Sequence, residues 1–298
     1  MLPSFWIALV LAAGLSGTPA ASGTPPPRQA PAAADARRAA AARALSAGDL
    51  DRALALAQRQ LEADPGDRRA RVLLARVHLE RRDPDAAYVE LRRVLTASPR
   101  DVDALYYMAL ATAELAGAEF ERLVALAPDS GRARQLMAES LESQDRARDA
   151  EREYEAAVAA QPDLLDPLLG LARLKRIRLA CEEAVPLYER AERIRPTFDG
   201  AYGLGVCQQY LQNDEVAAAA FERAVKRDPK AAVAWVGLGS TLTRLGRPAD
   251  GITRLQRAIE LEPRMGEAYY ALGLALRAAG QPERAKEAFA RAEALGTR

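Results

Sequence analysis

Histidine occurs once in this chain, at position 78, asparagine once, at position 213, and cysteine twice, at 181 and 207. A metal centre built on histidine and cysteine needs several such ligands at short spacing, and neither Cys-x-x-Cys nor His-Glu-x-x-His occurs. Acid-base and nucleophilic chemistry organised around histidine has a single residue to draw on. The expectation is therefore no catalytic residue, no metal ligand and no cofactor. Aromatic residues make up only 5% of the chain. The 42 basic residues stand against 41 acidic ones, so net charge is +1 and no strong field favours nucleic acid. The apolar run from Phe5 to Leu15 is roughly half of the ~20 residues that a membrane span requires. No alternating β-branched run occurs, which removes strands from the reading.

The run from Phe5 to Leu15 is followed by Ser16, Gly17, Thr18, Pro19, Ala20 and Ala21, small residues suited to cleavage near Ala20. Residues 1–20 are accordingly read as a signal peptide and the mature chain as exported, periplasmic or secreted, with no membrane span. Met1 to Ser4 contain no lysine or arginine, which leaves an N-terminal membrane anchor as the alternative. No cysteine lies nearby to carry a lipid. Residues 21–33, with Pro25, Pro26, Pro27 and Pro31 among alanine, serine and glycine, read as a disordered linker. From Ala34 onward alanine, leucine and charged residues recur at helical spacing.

Seven prolines, Pro65, Pro99, Pro128, Pro162, Pro196, Pro229 and Pro263, fall at intervals of 34, 29, 34, 34, 33 and 34 residues. A period of this size marks one supersecondary unit copied along the chain. Ahead of the prolines stand Ala150, Tyr154 and Ala157, then Ala184, Tyr188 and Ala191, then Ala217, Phe221 and Ala224. Their i, i+4, i+7 spacing puts each trio on one helical face. An earlier helix in each unit carries a second face: Ala201, Leu204 and Gly205; Trp235, Leu238, Gly239 and Leu242; Tyr269, Leu272, Gly273 and Leu276. Turn signals such as Gly48-Asp49, Asp83-Pro84, Gly246-Arg247-Pro248 and Gly280-Gln281-Pro282 separate the two.

This arrangement resembles the tetratricopeptide repeat family, in which a large residue, Leu-Gly, Tyr, then Ala, an aromatic, Ala and a closing proline recur every 34 residues. The resemblance covers residues 34–298 and implies an all-α fold, a right-handed superhelical solenoid of about eight helix-turn-helix repeats. The third repeat, residues 102–130, is five residues short. The loss is placed around Leu115 to Ala118, with a truncated helix and a local kink expected. The first repeat lacks bulky anchors and is expected to fray as a terminal cap. Pro186, early in a second helix, is expected to bend it slightly. In the family's packing Gly205, Gly239 and Gly273 face Ala217, Gly251 and Ala285. The pairs Gly203/Gly205 and Gly237/Gly239 are assigned to helix contact, since neither follows a strand as a phosphate-binding turn would. His78 stands in the repeat's tyrosine position and reads as its replacement.

The resemblance further implies a non-enzymatic scaffold that binds a protein or peptide segment in a concave groove lined by the first helices. The groove positions carried over are Tyr106 and Leu110; Leu169, Arg173 and Arg176; Tyr202, Val206, Gln209 and Tyr210; Val236 and Arg244 with Ser240 and Thr243; and Tyr270, Leu274 and Arg277. Tyrosine and arginine with apolar neighbours are common interface anchors. The alternative at each position is packing between adjacent repeats. An asparagine-based carboxylate clamp or asparagine ladder is not available, because Asn213 stands alone. The family's geometry also brings Cys181 and Cys207 onto neighbouring helices, where either a disulfide or two buried thiols would fit. The other functional reading is a structural or assembly subunit of a cell-envelope complex such as a secretion or pilus-biogenesis machine. A monomer is expected, because the last helix presents charged residues.

Overall fold

The computed structural model of the protein describes residues 31–297, and its chain divides into two compact units that meet at Leu126/Ala127. The signal segment and linker residues up to 30 lie outside the described residues. Pro31, read as linker, opens the first helix. Fifteen helices and no strand occur among the described residues.

The first unit contains α1 (Pro31–Ser46), α2 (Leu50–Ala63), α3 (Arg68–Glu80), α4 (Pro84–Ala97) and α5 (Val102–Leu126). α1 pairs with α2 and α3 with α4 as antiparallel hairpins. Ala41, Ala44, Ala53 and Ala57 are buried in the first of these, so the alanine-rich unit closes as a full hairpin without bulky anchors. Asp67 joins it to the second: the Asp67 carboxylate caps the N–H of Ala70, accepts from Gln60 Nε2 at 2.8 Å and pairs with Arg38. Burial alone would raise this carboxyl, but those hydrogen bonds outweigh it and hold Asp67 below the usual carboxylate range.

The second unit contains five hairpins: α6 (Gly131–Ser143) with α7 (Ala147–Ala160), α8 (Leu165–Ile177) with α9 (Cys181–Ile194), α10 (Phe198–Tyr210) with α11 (Asp214–Arg227), α12 (Ala232–Arg244) with α13 (Pro248–Leu261), and α14 (Gly266–Ala278) with α15 (Pro282–Ala294). Pro186 lies inside α9 without ending it. As the sixth residue of α9 it forfeits one intrahelical bond, the one its amide would have donated to the Glu182 carbonyl. The closing prolines have a second use beyond stopping a helix. The Pro229 carbonyl accepts from Trp235 Nε1 at 3.0 Å, the Pro65 carbonyl from Arg71 at 2.6 Å, and the Pro263 carbonyl from the Tyr269 hydroxyl at 3.3 Å. Each donor stands six residues after its proline and ties the start of a hairpin to the loop before it.

All seven hairpins turn through one left-handed residue: Gly48, Arg82, Asp145, Leu179, Gln212, Gly246 and Gly280, with φ between 59° and 77°. Six of them, from α3–α4 onward, also share one packing rule. A small residue in the first helix receives the side chain found sixteen residues later in the second. Gly205 lies beneath the Phe221 ring, Gly239 beneath Leu255 and Gly273 beneath Phe289, each so close that a Cβ would come within 2.8 Å of that side chain. Ala75 and Leu91, Ala138 and Tyr154, and Ala172 and Tyr188 share buried clusters at the same interval. The family pairing expected for Gly239 is also present, against the Gly251 carbonyl.

The third repeat departs from this rule and corrects the expectation of a truncated, kinked hairpin. α5 is one continuous helix of 25 residues, about 37 Å long at 1.5 Å per residue. Only three residues separate Thr112 from Ala116, where the other repeats have eight. That stretch cannot close a turn, and Ala113-Glu114-Leu115-Ala116 is made of strong helix formers. No residue of α5 has positive φ, Gly117 included. One face of α5, with Ala104, Ala111, Tyr107 and Met108, packs on α3 and α4. Arg76 covers the Tyr107 ring at 5.2 Å.

Candidate functional site

A cleft of the second unit opens between α8 and α10 and has a volume of about 260 Å³. Four of the expected groove residues meet there: Leu169, Arg173 and Arg176 from α8 and Tyr202 from α10. Tyr154 of α7 and Tyr188 of α9 form its floor, with Asp166 and Asp199 at its edges. Both floor tyrosines belong to the second-helix faces read from sequence as pure packing. They reach the cleft because the next helix carries glycine over each ring, Gly170 over Tyr154 and Gly203 over Tyr188. A Cβ at Gly170 would stand 2.6 Å from Tyr154 Cζ. The missed signal is this glycine, fifteen or sixteen residues after a second-helix tyrosine.

The two cleft arginines differ in what they already hold. Arg173 Nη2 donates to both carboxylate oxygens of Glu142 at 2.5 Å, and the Tyr154 hydroxyl donates to Glu142 Oε2 at 2.9 Å. Burial opposes the charge on Arg173, but the bonds to Glu142 outweigh it and raise the guanidinium's affinity for its proton. Arg176 Nε donates to the Tyr188 hydroxyl at 3.3 Å, and among the described residues it forms no ion pair. Burial pushes the hydroxyls of Tyr154, Tyr188 and Tyr202 up, so all three remain neutral donors at ordinary pH. The cleft thus offers one uncommitted cation beside three phenolic rings, with two carboxylates at its edge.

Other expected groove residues are spoken for or lie elsewhere. Arg244 pairs with Asp214 at 3.1 Å and donates to the Gln209 carbonyl, and Gln209 Nε2 donates to Thr241 Oγ1 at 2.9 Å. Tyr202 stacks on Phe198 with ring centroids 5.6 Å apart, and Val206 joins it against the buried cluster around Phe221. Val236 packs against the clusters around Leu272 and Ala258. Leu274 is half-buried, whereas Tyr210, Tyr270 and Arg277 are exposed. The Arg277 guanidinium sits 5.9 Å from the Phe289 ring centre. Tyr106 and Leu110 are exposed on α5 in the first unit.

Cys181 and Cys207 are neighbouring buried thiols in one cluster and form no disulfide in this structure. Burial, then the hydrogen bond with Cys181, pushes the Cys207 thiol up. The His78 ring is half-buried, with Nδ1 3.7 Å from Asp83. Among the described residues no group of histidine, cysteine, aspartate and glutamate could hold a metal ion, and no helix is long and apolar enough to cross a membrane.

Sequence profiles described as tetratricopeptide repeat match residues 44–113 and, in three overlapping stretches, 168–232, 208–250 and 238–297. The stretch between them holds the second half of α5 and the α6–α7 hairpin. No curated protein matches the chain. Among solved structures, YrrB, described as a TPR protein with an unusual peptide-binding site, aligns over 59% of this chain and 91% of its own at 20% identity and TM-score 0.54. A MamA protein aligns over 55% and 91% at 20% identity and TM-score 0.51. MamA from Desulfovibrio magneticus RS-1 aligns over 56% and 94% at 18% identity and TM-score 0.52. These likenesses speak to fold. Helical hairpins that repeat the family's small, aromatic and proline positions, together with profile matches over well more than half of its length, show that the chain belongs to the tetratricopeptide repeat family.

Proposed function

We propose that the protein is a non-enzymatic scaffold that holds an extended segment of a partner protein in the cleft between α8 and α10. The observation that carries this reading is Arg176, a half-buried cation with no carboxylate of its own, set among Tyr154, Tyr188 and Tyr202. A partially desolvated guanidinium beside aromatic rings gains from an incoming carboxylate far more than an exposed one does. The preferred segment carries an acidic residue for Arg176, an apolar residue for Leu169 and Tyr202, and a basic or amide group for Asp166 or Asp199. The chain is exported on this reading, on the strength of the Phe5 to Leu15 run, and its partner resides in the same compartment.

Panning a random peptide library on the full protein tests the proposal. Enriched peptides share an acidic residue next to an apolar one. Arg176→Gln weakens the best of them at least about tenfold in fluorescence polarisation, equivalent to about 1.4 kcal/mol, whereas Arg277→Gln, outside the cleft, has no effect. Enrichment of peptides that bind Arg176→Gln as well as the wild type overturns it.

A further inference from the structure

The face of α5 turned away from α3 and α4 carries exposed apolar residues among the described residues. Leu105, Tyr106 and Leu110 are 48%, 59% and 42% exposed. Phe120, Leu123 and Val124, further along, are half-buried and belong to none of the buried clusters. Tyr106, Ala109, Ala113, Ala116, Phe120 and Leu123 follow one another at intervals of 3, 4, 3, 4 and 3 residues. That is an apolar heptad seam of the kind that seats a second helix.

The protein's own packing rule says what should lie on the seam. In six of the seven hairpins a small first-helix residue takes the side chain sixteen positions later. In the third repeat those two residues are Ala109 and Phe120, brought to a separation of eleven by the missing five. On one straight helix they stand about 16 Å apart, so they cannot meet within the chain. Ala109 is exposed, and Phe120, half-buried, is not seated on it.

We propose that two copies of this chain associate through α5, antiparallel and two-fold symmetric, each supplying the seat that the other's Phe120 lacks. In that register Ala109 faces Phe120 of the partner subunit, Tyr106 faces Leu123 of the partner subunit and Ala113 faces Ala116 of the partner subunit. Every pair is repeated by the two-fold axis, as an isologous contact requires. Phe120 meets the small Ala109 of the partner subunit, Tyr106 and Leu123 of the partner subunit form an apolar pair at each end of the seam, and Glu119 falls opposite Thr112 of the partner subunit, so no like charges are brought together. Glu114, Glu121 and Arg122 lie off the seam. A seam of this length buries on the order of 800 Å² in total, at the low end for specific contacts. The dimer is therefore weak, with a micromolar dissociation constant, in place of the monomer expected from the sequence.

Sedimentation velocity on the full chain, without any peptide, from about 1 to 200 µM tests this. The wild type shifts from monomer to dimer across the range. Ala109→Glu, a surface change on a helix that keeps its packed face, retains the helical circular dichroism and stays monomeric at least tenfold higher in concentration. Phe120→Ala does the same. For the register, Ala109→Cys and Phe120→Cys chains mixed under mild oxidant form a covalent dimer, whereas each alone does not. A monomer throughout, dimerisation untouched by Ala109→Glu, or self-crosslinking of the Ala109→Cys chain overturns the proposal. The cleft on α8 and α10 takes no part in these measurements, so the peptide reading stands or falls separately.

Discussion

Phe221 has no exposed surface and lies between two glycines of successive repeats. A Cβ on Gly205 would stand 2.8 Å from its ring and one on Gly237 2.5 Å from Cε1. Gly237→Ala therefore pushes a methyl into a ring that has no room to withdraw, a fault that costs about 1–3 kcal/mol. Alanine also favours the helix over glycine by about 1 kcal/mol, so the net loss is up to about 2 kcal/mol. Phe221→Ala alone leaves a cavity between α10, α11 and α12 and costs about 3–5 kcal/mol. In the Phe221→Ala background the ring is gone, the clash vanishes and only the helix preference remains. There Gly237→Ala stabilises by about 1 kcal/mol. The sign reversal is the diagnostic, and a double-mutant cycle by urea unfolding followed at 222 nm reads it. Because repeat arrays unfold with limited cooperativity, the slope with urea must stay constant across the four proteins for the values to be compared. If Gly237→Ala has the same sign with and without Phe221, the ring is not what demands the glycine, and the contact argued here is wrong.

Glu151 gives a pH dependence. Burial would raise its carboxyl, but Lys175 at 3.1 Å and the bond from Arg178 hold it below its ordinary 4.5. Because the folded value is depressed, the stabilisation is complete above about pH 4.5 and is lost as pH falls through the folded value. Glu151→Gln should cost about 1–3 kcal/mol at pH 7, and the gap to wild type should close in acid; a gap that does not change with pH would contradict the ion pairing. Leu179 turns the α8–α9 hairpin at φ 61°. Leu179→Gly should raise stability by about 0.5–1 kcal/mol, measured as a higher urea midpoint, and a lower midpoint would deny the strain. The two buried thiols should resist alkylation at pH 8 while the protein is folded and both react on unfolding. A single reactive thiol, or none, after denaturation would indicate another arrangement.

The repeat beat and the two helical faces were legible because each rests on local spacing, and the hairpins follow wherever a turn residue is available. The third repeat was located but its shape was not. Alignment shows where residues are missing, whereas Thr112 to Ala116 decides by chain geometry that the remainder cannot turn. Register places Arg173, Arg176, Leu169 and Tyr202 on the first helices, and the structure brings them to one cleft. The tie between Arg173 and Glu142, which leaves Arg176 the uncommitted one, required a contact 31 residues back. Arg81 with Asp51 and Arg244 with Asp214 show the same offset to within a residue, but Asp145 stands 31 positions before Arg176 without pairing to it, so the offset by itself does not mark a committed arginine.

The sixteen-residue interval separates two kinds of length change. The 33-residue gap between Pro196 and Pro229 has its missing residue between hairpins: α9 ends at Ile194 and α10 begins at Phe198, leaving three residues, while α11 and α12 are joined by four. Ala172 to Tyr188 and Gly205 to Phe221 on either side remain at sixteen, and both hairpins close. The five-residue loss in the third repeat falls inside the interval, and there the hairpin is gone. Insertions and deletions in this array are thus harmless at the proline loops and decisive at the turns. A library of single-residue deletions should show that boundary recurring once per repeat, with tolerance in the loops and intolerance between each small residue and the side chain it receives.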